Sequence, residues 1–337
     1  MGDISQKKLE GVPPLAWGKN GDCTFIGALE AATAVTPWPC RYTTMMGVTG
    51  LAFRIRWFTG PDEIGCPSSP VGEFQPEVEA AGRATGWELA VEWPGSADDQ
   101  AAMARRFKET IDRGLPALVY GAQMNMAVAC GYEENGGILL LRDYTVGDDY
   151  LRKPTSELEM CALLLDGHTE PLSPMDAALQ GIGMGVTNWK RVRETTDNPE
   201  RGYWHGPKAY QAWRDVLERV DTFDDAAKGT AFFLNWWTFE CLADARYNAG
   251  AFLRETAPLF AGEARSHLEK AAGIYEDEFA GIRESFEKRH AFIGPWSGLD
   301  ITSWNPEMRQ REMAMLTRAE ELEALAITEM ETALNAN

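Results

Sequence analysis

The chain has 337 residues, of which 45% are hydrophobic, and its formal net charge at pH 7 is −19. This length is enough for two domains of ordinary size. Binding to nucleic acid or to an anionic membrane surface depends on clustered lysine and arginine, so the acidic balance argues against both as partners.

Six cysteines are scattered along the chain without a Cys-x-x-Cys pair, a spacing typical of neither a disulfide framework nor a zinc site. The charged N-terminal segment, which contains Pro13 and Pro14, does not resemble a signal peptide. No apolar run reaches the length of a membrane span. The sequence therefore predicts a cytoplasmic protein with reduced thiols, no bound metal and no other cofactor.

The stretch 20–32 combines a polar turn, a cysteine and an apolar helical pattern. The positions at helical spacing are Phe25, Leu29 and Ala32. Asn20 and Asp22 are both good N-cap residues, so a helix is predicted over 23–35. Cys23 then lies at the positive end of a helix dipole, where a thiolate is favoured and the thiol pKa falls. This placement suits a nucleophile, and a small buried core residue is the alternative.

The rest of the first half mixes helices with strands. The pattern predicts a helix or a helix-turn over 42–58, helices over 75–85 and 97–113, a strand over 87–93, and a Gly/Pro/Ser-rich loop over 60–72. Short apolar strands are predicted over 116–121, 126–132, 138–144 and 159–165, with a hairpin turn at 133–137. Helices followed by an antiparallel sheet indicate an α+β domain, which we assign to residues 1–166.

These motifs carry a family resemblance. A helix opened by Cys23, a Gly-x-Pro strand start at Gly114-Leu115-Pro116, and a hairpin with Gly131-Tyr132 and then Asp143 resemble the papain-like cysteine peptidase fold. More narrowly, residues 15–165 resemble the N-terminal domain of butirosin biosynthesis protein H and the bacteriocin-processing peptidase-like proteins. The resemblance implies that the cysteine attacks a carbonyl or thioester and that Asp143 orients a histidine.

The chain departs from this pattern at the histidine. Counting back from Gly131-Tyr132, the histidine position is occupied by Asn125, and asparagine cannot take a proton from a thiol. No histidine lies between Cys23 and Asp143. The candidate base from the second half is His205.

A second departure concerns the oxyanion hole. The resemblance implies a glutamine about six residues before the cysteine, and Trp17 stands at that position. Asn20 or the backbone N–H of Cys23 is the substitute donor. Residues expected to contact substrate are Trp17, Tyr144, His205 and Trp237.

Residues 167–337 are predicted to form an all-α helical bundle domain. Apolar seams indicate helices from Pro207 onward, over 232–253, 263–290 and 307–334, and the glycine-rich run at 181–185 is interpreted as a helix end. Asp244 and Arg246 are interpreted as a buried or interfacial polar pair, or as ligand contacts. The Glu-x-x-His at 287–290 lacks the second copy and the further carboxylates that a di-iron site needs, so a plain charged helix end is favoured.

Two function classes follow from these residues. The first is cysteine-dependent acyl transfer, or amide or thioester hydrolysis, on a small-molecule, peptide or carrier-bound acyl substrate. The second is a catalytically inactive papain-like scaffold that binds a small molecule or peptide in its cleft. A third, weaker alternative makes the helical half a homodimerisation or partner-binding module.

Overall fold

The computed structural model describes residues 5–18, 21–58, 75–121, 125–158, 160–195, 201–288, 291–294 and 300–337. The chain divides into two compact units, and each is built from two segments. Unit 1 comprises Met1–Met45 and Val78–Leu172, and unit 2 comprises Met46–Glu77 and Ser173–Asn337.

The elements of the first half, in chain order, are β1 (Lys7–Lys8), α1 (Thr24–Thr33), α2 (Tyr42–Val48), β2 (Arg56–Phe58), α3 (Gln75–Thr85), β3 (Trp87–Glu92), α4 (Ala97–Asp112), β4 (Ala117–Tyr120), β5 (Met126–Glu133), β6 (Ile138–Arg142), β7 (Leu151–Pro154) and β8 (Ala162–His168). The second half adds α5 (Pro174–Lys190), β9 (Arg193–Thr195), β10 (Gly202–His205), α6 (Gly206–Arg219), α7 (Asp225–Thr256), α8 (Gly262–Glu287) and α9 (Pro306–Asn335).

Unit 1 is built on an antiparallel sheet with the strand order β3-β8-β4-β5-β6-β7, and β1 pairs with β5. The central hairpin aligns Val128 with Arg142. Helix α4 begins at a capping box between Ser96 and Asp99 and packs its apolar side chains on this sheet. The buried residues that join α4 to the sheet include Met103, Phe107, Ile111, Val119, Ala129 and Leu141. The expected α+β class, with helices and an antiparallel sheet, is confirmed.

Of the two alternatives predicted over 42–58, the continuous helix is wrong, and a helix followed by a turn describes the first part of this range. Helix α2 ends at Val48, and residues 56–58 form strand β2. Gly50 adopts a φ of +73°, a conformation that L-residues avoid, and a Cβ there would lie 2.7 Å from Met184 Cβ. The chain therefore turns at Gly50 and continues in an extended conformation. The predicted loop over 60–72 lies outside the described residues.

Unit 2 is dominated by the long helices α7, α8 and α9, in which α7 packs on α8 and α8 on α9. Its small antiparallel sheet has the order β2-β10-β9. Trp57 of β2 stacks on Trp213 of α6 with ring centroids 5.2 Å apart, which connects the small sheet to the helical core. No helix in the described part of the chain is long and apolar enough to cross a membrane.

The glycine-rich run at 181–185 lies inside α5, so its interpretation as a helix end is wrong. A Cβ at Gly181 would come within 2.2 Å of the Gly47 carbonyl oxygen. The glycine therefore allows α5 to approach the backbone of α2 closely, which explains an apolar helix rich in small residues.

Asp244 and Arg246 are both buried, as one interpretation of the sequence held, but Arg246 does not bond to Asp244. Its Nε donates to Glu323 Oε1 at 2.7 Å, and its Nη1 donates to the carbonyls of Ala52 and Arg54 at 3.0 and 3.1 Å. Residues two apart on a helix do not face each other, so Asp244 is directed elsewhere. The guanidinium of Arg246 thereby joins α9 to the segment that precedes β2.

Candidate functional site

Cys23 occupies the N-cap position of α1, with an extended backbone (φ −78°, ψ 100°), so the helix begins one residue after the predicted start. The residue is 2% exposed. Its backbone N–H donates a hydrogen bond of 2.7 Å to the hydroxyl of Tyr42, at the start of α2. The sulfur-bearing residue is therefore held at the positive end of α1 by a side chain from the next helix.

The N-cap assignment of the sequence analysis is wrong for Asp22. Asp22 Oδ1 accepts the N–H of Gly18 at 3.0 Å, which closes the turn that precedes α1. Because Cys23 itself is the N-cap, α1 has no side-chain N-cap hydrogen bond in the described part of the chain. Asn20, the other candidate for this position and for the oxyanion hole, lies outside the described residues.

One hydrogen bond connects the first turn of α1 to the start of β5. The hydroxyl of Thr24 accepts the N–H of Met126 at 3.2 Å, and both residues are buried. Asn125 immediately precedes Met126, and its carbonyl accepts the N–H of Gly121 at 2.8 Å. Asn125, at the expected histidine position, therefore directly precedes β5. The first residue of β5 is hydrogen-bonded to Thr24, the residue after Cys23.

Asp143 follows β6 and is fully buried. Its Oδ1 accepts the N–H of Thr145 at 2.9 Å and the hydroxyl of the same residue at 2.6 Å. Its Oδ2 lies against Gly121, where a Cβ would come within 2.0 Å of it. Gly121 therefore packs on the Asp143 carboxylate while its N–H binds Asn125.

The sequence analysis did not identify two residues near Asp143, Gly121 and Lys153. Gly121 is required because any side chain would collide with Asp143, and the only sequence signal is a glycine directly after the strand β4. The Nζ of Lys153, in β7, donates to the Gly121 carbonyl at 3.3 Å. The sequence pattern did not predict this strand.

Trp17 and Tyr144 form a stacked aromatic pair, with ring centroids 4.3 Å apart and an interplanar angle of 29°. The Tyr144 hydroxyl lies against Gly27, where a Cβ would be 2.3 Å from it, and Gly27 N–H bonds to the Cys23 carbonyl. Trp17 is 50% exposed. Trp17 and Tyr144, two of the four residues predicted to contact substrate, therefore form an aromatic pair beside the first turn of α1, with the Trp17 ring exposed.

Three other cysteines of unit 1 occupy environments that disfavour a thiolate. Burial raises the pKa of Cys40, Cys130 and Cys161 to about 11. Since the thiolate is the nucleophilic form, these side chains are poor nucleophiles near neutral pH. These three cysteines can be compared with Cys23, which lies at a helix N-terminus.

The histidine that belongs to unit 1 is His168. Its ring stacks on Trp38 with centroids 3.9 Å apart, and its Nε2 lies 3.0 Å from the Thr85 carbonyl oxygen. A ring nitrogen that faces a carbonyl oxygen is the protonated, donating one. His168 is thus committed to the edge formed by α3, β3 and β8.

His205 and Trp237 belong to unit 2. His205 is 2% exposed, and its Nε2 lies 3.1 Å from Glu194 Oε2. Burial lowers the pKa of His205, so the neutral imidazole is favoured near pH 7. Trp237 packs its ring 5.5 Å from that of Phe233.

No protein-family model matches the chain, and no curated protein matches it at a significant level. Over the ranges that the structure describes, no group of three or more His, Cys, Asp or Glu side chains is placed to hold a metal ion. His290, from the Glu-x-x-His sequence, lies outside those ranges.

Proposed function

We propose that unit 1 is a papain-like domain in which Cys23 carries out acyl transfer, or amide or thioester hydrolysis, on a small substrate. The observation that supports this most directly is the Thr24–Met126 hydrogen bond, which joins the cysteine-bearing helix end to the start of β5. Asp143 is connected to the same strand start through Gly121 and Asn125. A nucleophile at a helix end, opposite an oriented strand hairpin, is the arrangement that the family resemblance implies.

The absence of a histidine at position 125 favours activated acyl groups over amides. The dipole of α1 favours the Cys23 thiolate, which attacks the carbonyl carbon of a thioester R–CO–S–R′. The tetrahedral intermediate collapses by expelling R′–S⁻, which leaves Cys23–S–CO–R and, after protonation, R′–SH. This leaving group departs without a proton, whereas an amine needs a general acid.

The second half of the reaction passes the acyl group to water or to another nucleophile. Attack by water releases R–COOH and the free Cys23 thiol, whereas attack by an amine or thiol of an acceptor transfers the acyl group. In this proposal Trp17 and Tyr144 bind the substrate, and Asn125 and Asp143 position the strand ends that face it. The substrate is a small molecule, a peptide or an acyl group on a carrier.

A second candidate is an inactive papain-like scaffold that binds a small molecule or peptide. Two observations favour it: Cys23 is only 2% exposed, and Asn125 cannot serve as a base. In both proposals unit 2 is a helical bundle domain that can form a homodimer. The protein is cytoplasmic in both.

Intact-protein mass spectrometry with a small acetyl thioester, acetyl-N-acetylcysteamine, separates the two proposals. The acyltransferase proposal predicts one added acetyl group on the wild type and none on Cys23→Ala. Cys40→Ala is the matched control, because Cys40 is more exposed than Cys23 but has a pKa of about 11. It should acetylate as fast as the wild type. Equal acetylation of wild type and Cys23→Ala, together with equal release of N-acetylcysteamine by the two proteins, supports the inactive scaffold.

A further inference from the structure

Helices α8 and α9 of unit 2 enclose a cavity of about 400 Å³. A cavity of this size is typical of a site that binds a small molecule. Its lining changes from exposed residues at the mouth to buried residues on the inner wall. The exposed residues include Asp277 and Arg318, and the buried ones are Glu278, Ile282, Ala319 and Leu322.

The inner wall contains one acidic side chain, that of Glu278, which is 1% exposed. Neither carboxyl oxygen of Glu278 has a hydrogen-bond partner among the residues that the structure describes. Arg246 Nε lies 3.5 Å from Glu278 Oε1, but it donates to Glu323 at 2.7 Å. Burying a polar group without a hydrogen bond costs free energy, and most buried polar groups avoid this cost. A ligand that donates a hydrogen bond to Glu278 would remove the cost.

The charges behind the inner wall favour a cationic ligand. The guanidinium of Arg246 is bonded to Glu323, so its charge is already balanced by one carboxylate. Glu278 is a second carboxyl beside the same guanidinium. Burial raises the pKa of Glu278, and the charge of Glu323 raises it further. A positive charge placed beside Glu278 would compensate a carboxylate there.

The mouth of the cavity has the same preference. Asp277 adds another acidic side chain to the lining. The positive charge of Arg318 is partly offset, because its Nη1 lies 3.4 Å from Glu321 Oε2. A net charge of −19 over the whole chain also attracts cations.

We propose that this cavity binds a small organic amine, whose protonated nitrogen donates a hydrogen bond to the Glu278 carboxylate. The apolar part of the amine contacts Ile282, Ala319 and Leu322. When the ammonium R–NH₃⁺ binds, a protonated Glu278 releases its proton to solvent, so one positive charge enters the site as another leaves. All of these residues belong to unit 2, so the proposal does not rest on acyl transfer at Cys23.

Isothermal titration calorimetry of the full chain with two probes tests the class of ligand. The probes are 4-phenylbutylamine and 4-phenyl-1-butanol, which share their apolar part and differ in the charged nitrogen. We expect one amine to bind per chain, and the alcohol to bind at least about 10-fold more weakly, because the ammonium forms a charge-assisted hydrogen bond. Equal affinities overturn the proposal, and so does an amine that does not bind at about 5 mM.

Glu278→Gln tests the residue that recognises the amine. The variant keeps the shape of the side chain and removes the acid. It should weaken amine binding by about 10- to 100-fold, as expected for a hydrogen bond to a charged group, and change alcohol binding by no more than about 3-fold. Glu284→Gln is the matched control, because Glu284 is exposed on the same helix and pairs with Lys288. Wild-type affinity of Glu278→Gln for the amine overturns the role of Glu278.

Gly281→Leu tests the cavity independently, including the case in which Glu278→Gln does not fold. Gly281 lines the cavity, and no heavy atom of the described residues lies within 4 Å of a Cβ built there. Leucine occupies this space and also favours the helix. It should weaken binding of the amine by at least about 10-fold, whereas Gly281→Ala, the control, adds only a methyl group. Equal amine affinity of the leucine and alanine variants overturns the assignment to this cavity.

Discussion

The hydroxyl of Thr24 accepts the backbone N–H of Met126 at 3.2 Å, in a buried contact between the first turn of α1 and the first residue of β5. This hydrogen bond joins the residue after Cys23 to the residue after Asn125. It therefore contributes to the local geometry of the candidate site.

Thr24→Val removes that acceptor and nearly preserves the side-chain volume. The Met126 N–H then loses its partner in a buried position, which should lower the free energy of unfolding by about 1–3 kcal/mol. Thr24→Ser keeps the hydroxyl and is the control. Chemical denaturation measures the stability, and thioester acetylation of Cys23 should slow in the valine variant alone. Equal stability of the valine and serine variants contradicts this role.

Gly121→Ala tests the contact between Gly121, directly after β4, and the Asp143 carboxylate. The new Cβ would lie 2.0 Å from Asp143 Oδ2 and 2.9 Å from Ala127 Cβ, so the carboxylate must move. We expect a loss of about 1–3 kcal/mol in unfolding free energy, typical of overpacking a buried position. Gly183→Ala is the control, because nothing lies within 4 Å of a Cβ there. Equal losses of stability for the two variants in thermal unfolding contradict the contact.

Arg246→Met tests the buried ion pair of unit 2. Arg246 and Glu323 are both fully buried, and Glu278 lies 3.5 Å from Arg246 Nε. Removing the guanidinium leaves buried carboxylates without their cation, and breaking such a pair costs about 3–5 kcal/mol. Burial and the neighbouring Glu323 already raise the pKa of Glu278, so this carboxyl favours its protonated form.

The matched control for that variant is Arg254→Met. Arg254 pairs with Glu276 at 2.7 Å, but both side chains are 47% exposed. Exposed ion pairs contribute about 0–1 kcal/mol. Denaturant unfolding should therefore show a large loss for Arg246→Met and little or none for Arg254→Met. Similar losses in the two variants contradict a stabilising role that depends on burial.

Glu312 should make the stability of the protein pH-dependent. It is fully buried, and burial raises its pKa from 4.5 to about 7 despite hydrogen bonds from Trp304, Phe292 and Asn235. Between pH 4.5 and 7 the folded protein keeps this proton while the unfolded chain has released it. The unfolding free energy therefore falls as pH rises through this window, by about 3 kcal/mol from this group.

Glu312→Gln removes that titration. We subtract the unfolding free energy of Glu312→Gln from that of the wild type, both measured by denaturant unfolding from pH 4 to 8. This difference should decrease as pH rises. The change should level off above pH 7. A difference that is constant across this range contradicts the raised pKa.

Local periodicity predicted much of the secondary structure. The predicted strand 87–93 and helix 97–113 match β3 and α4 within a residue, because alternation and capping signals there are contained in a short segment. The helices beginning near residues 207, 263 and 307 also match α6, α8 and α9 closely. These patterns need no information from the rest of the chain.

Pairings between distant segments were not predicted. Strand β2 forms because Arg56 pairs with His205, and three-residue strands give too short a pattern to recognise. For the same reason the partner of Arg246 was not visible, since Glu323 lies on another helix. Residues 46–77, which the sequence analysis assigns with the first half, belong to unit 2.

The candidate site was predicted in part. The N-terminal position of Cys23 on a helix follows from apolar spacing and is observed. Tyr42 was missed because its contact with the Cys23 amide joins two helices, and nothing in the local sequence marks it. The catalytic roles of Cys23, Asn125 and Asp143 stay predictions.

Reaction of each cysteine with iodoacetamide, followed by peptide mass spectrometry from pH 5 to 9 on the native protein, tests the central claim most directly. If the N-terminus of α1 favours a thiolate at Cys23, this residue should react well below pH 8, while Cys40, Cys130 and Cys161, with pKa values of about 11, should not. Cys23→Ala should lose only the fast-reacting site. A Cys23 that reacts no faster than these three, or reacts only on unfolding, contradicts the nucleophile and leaves the inactive scaffold.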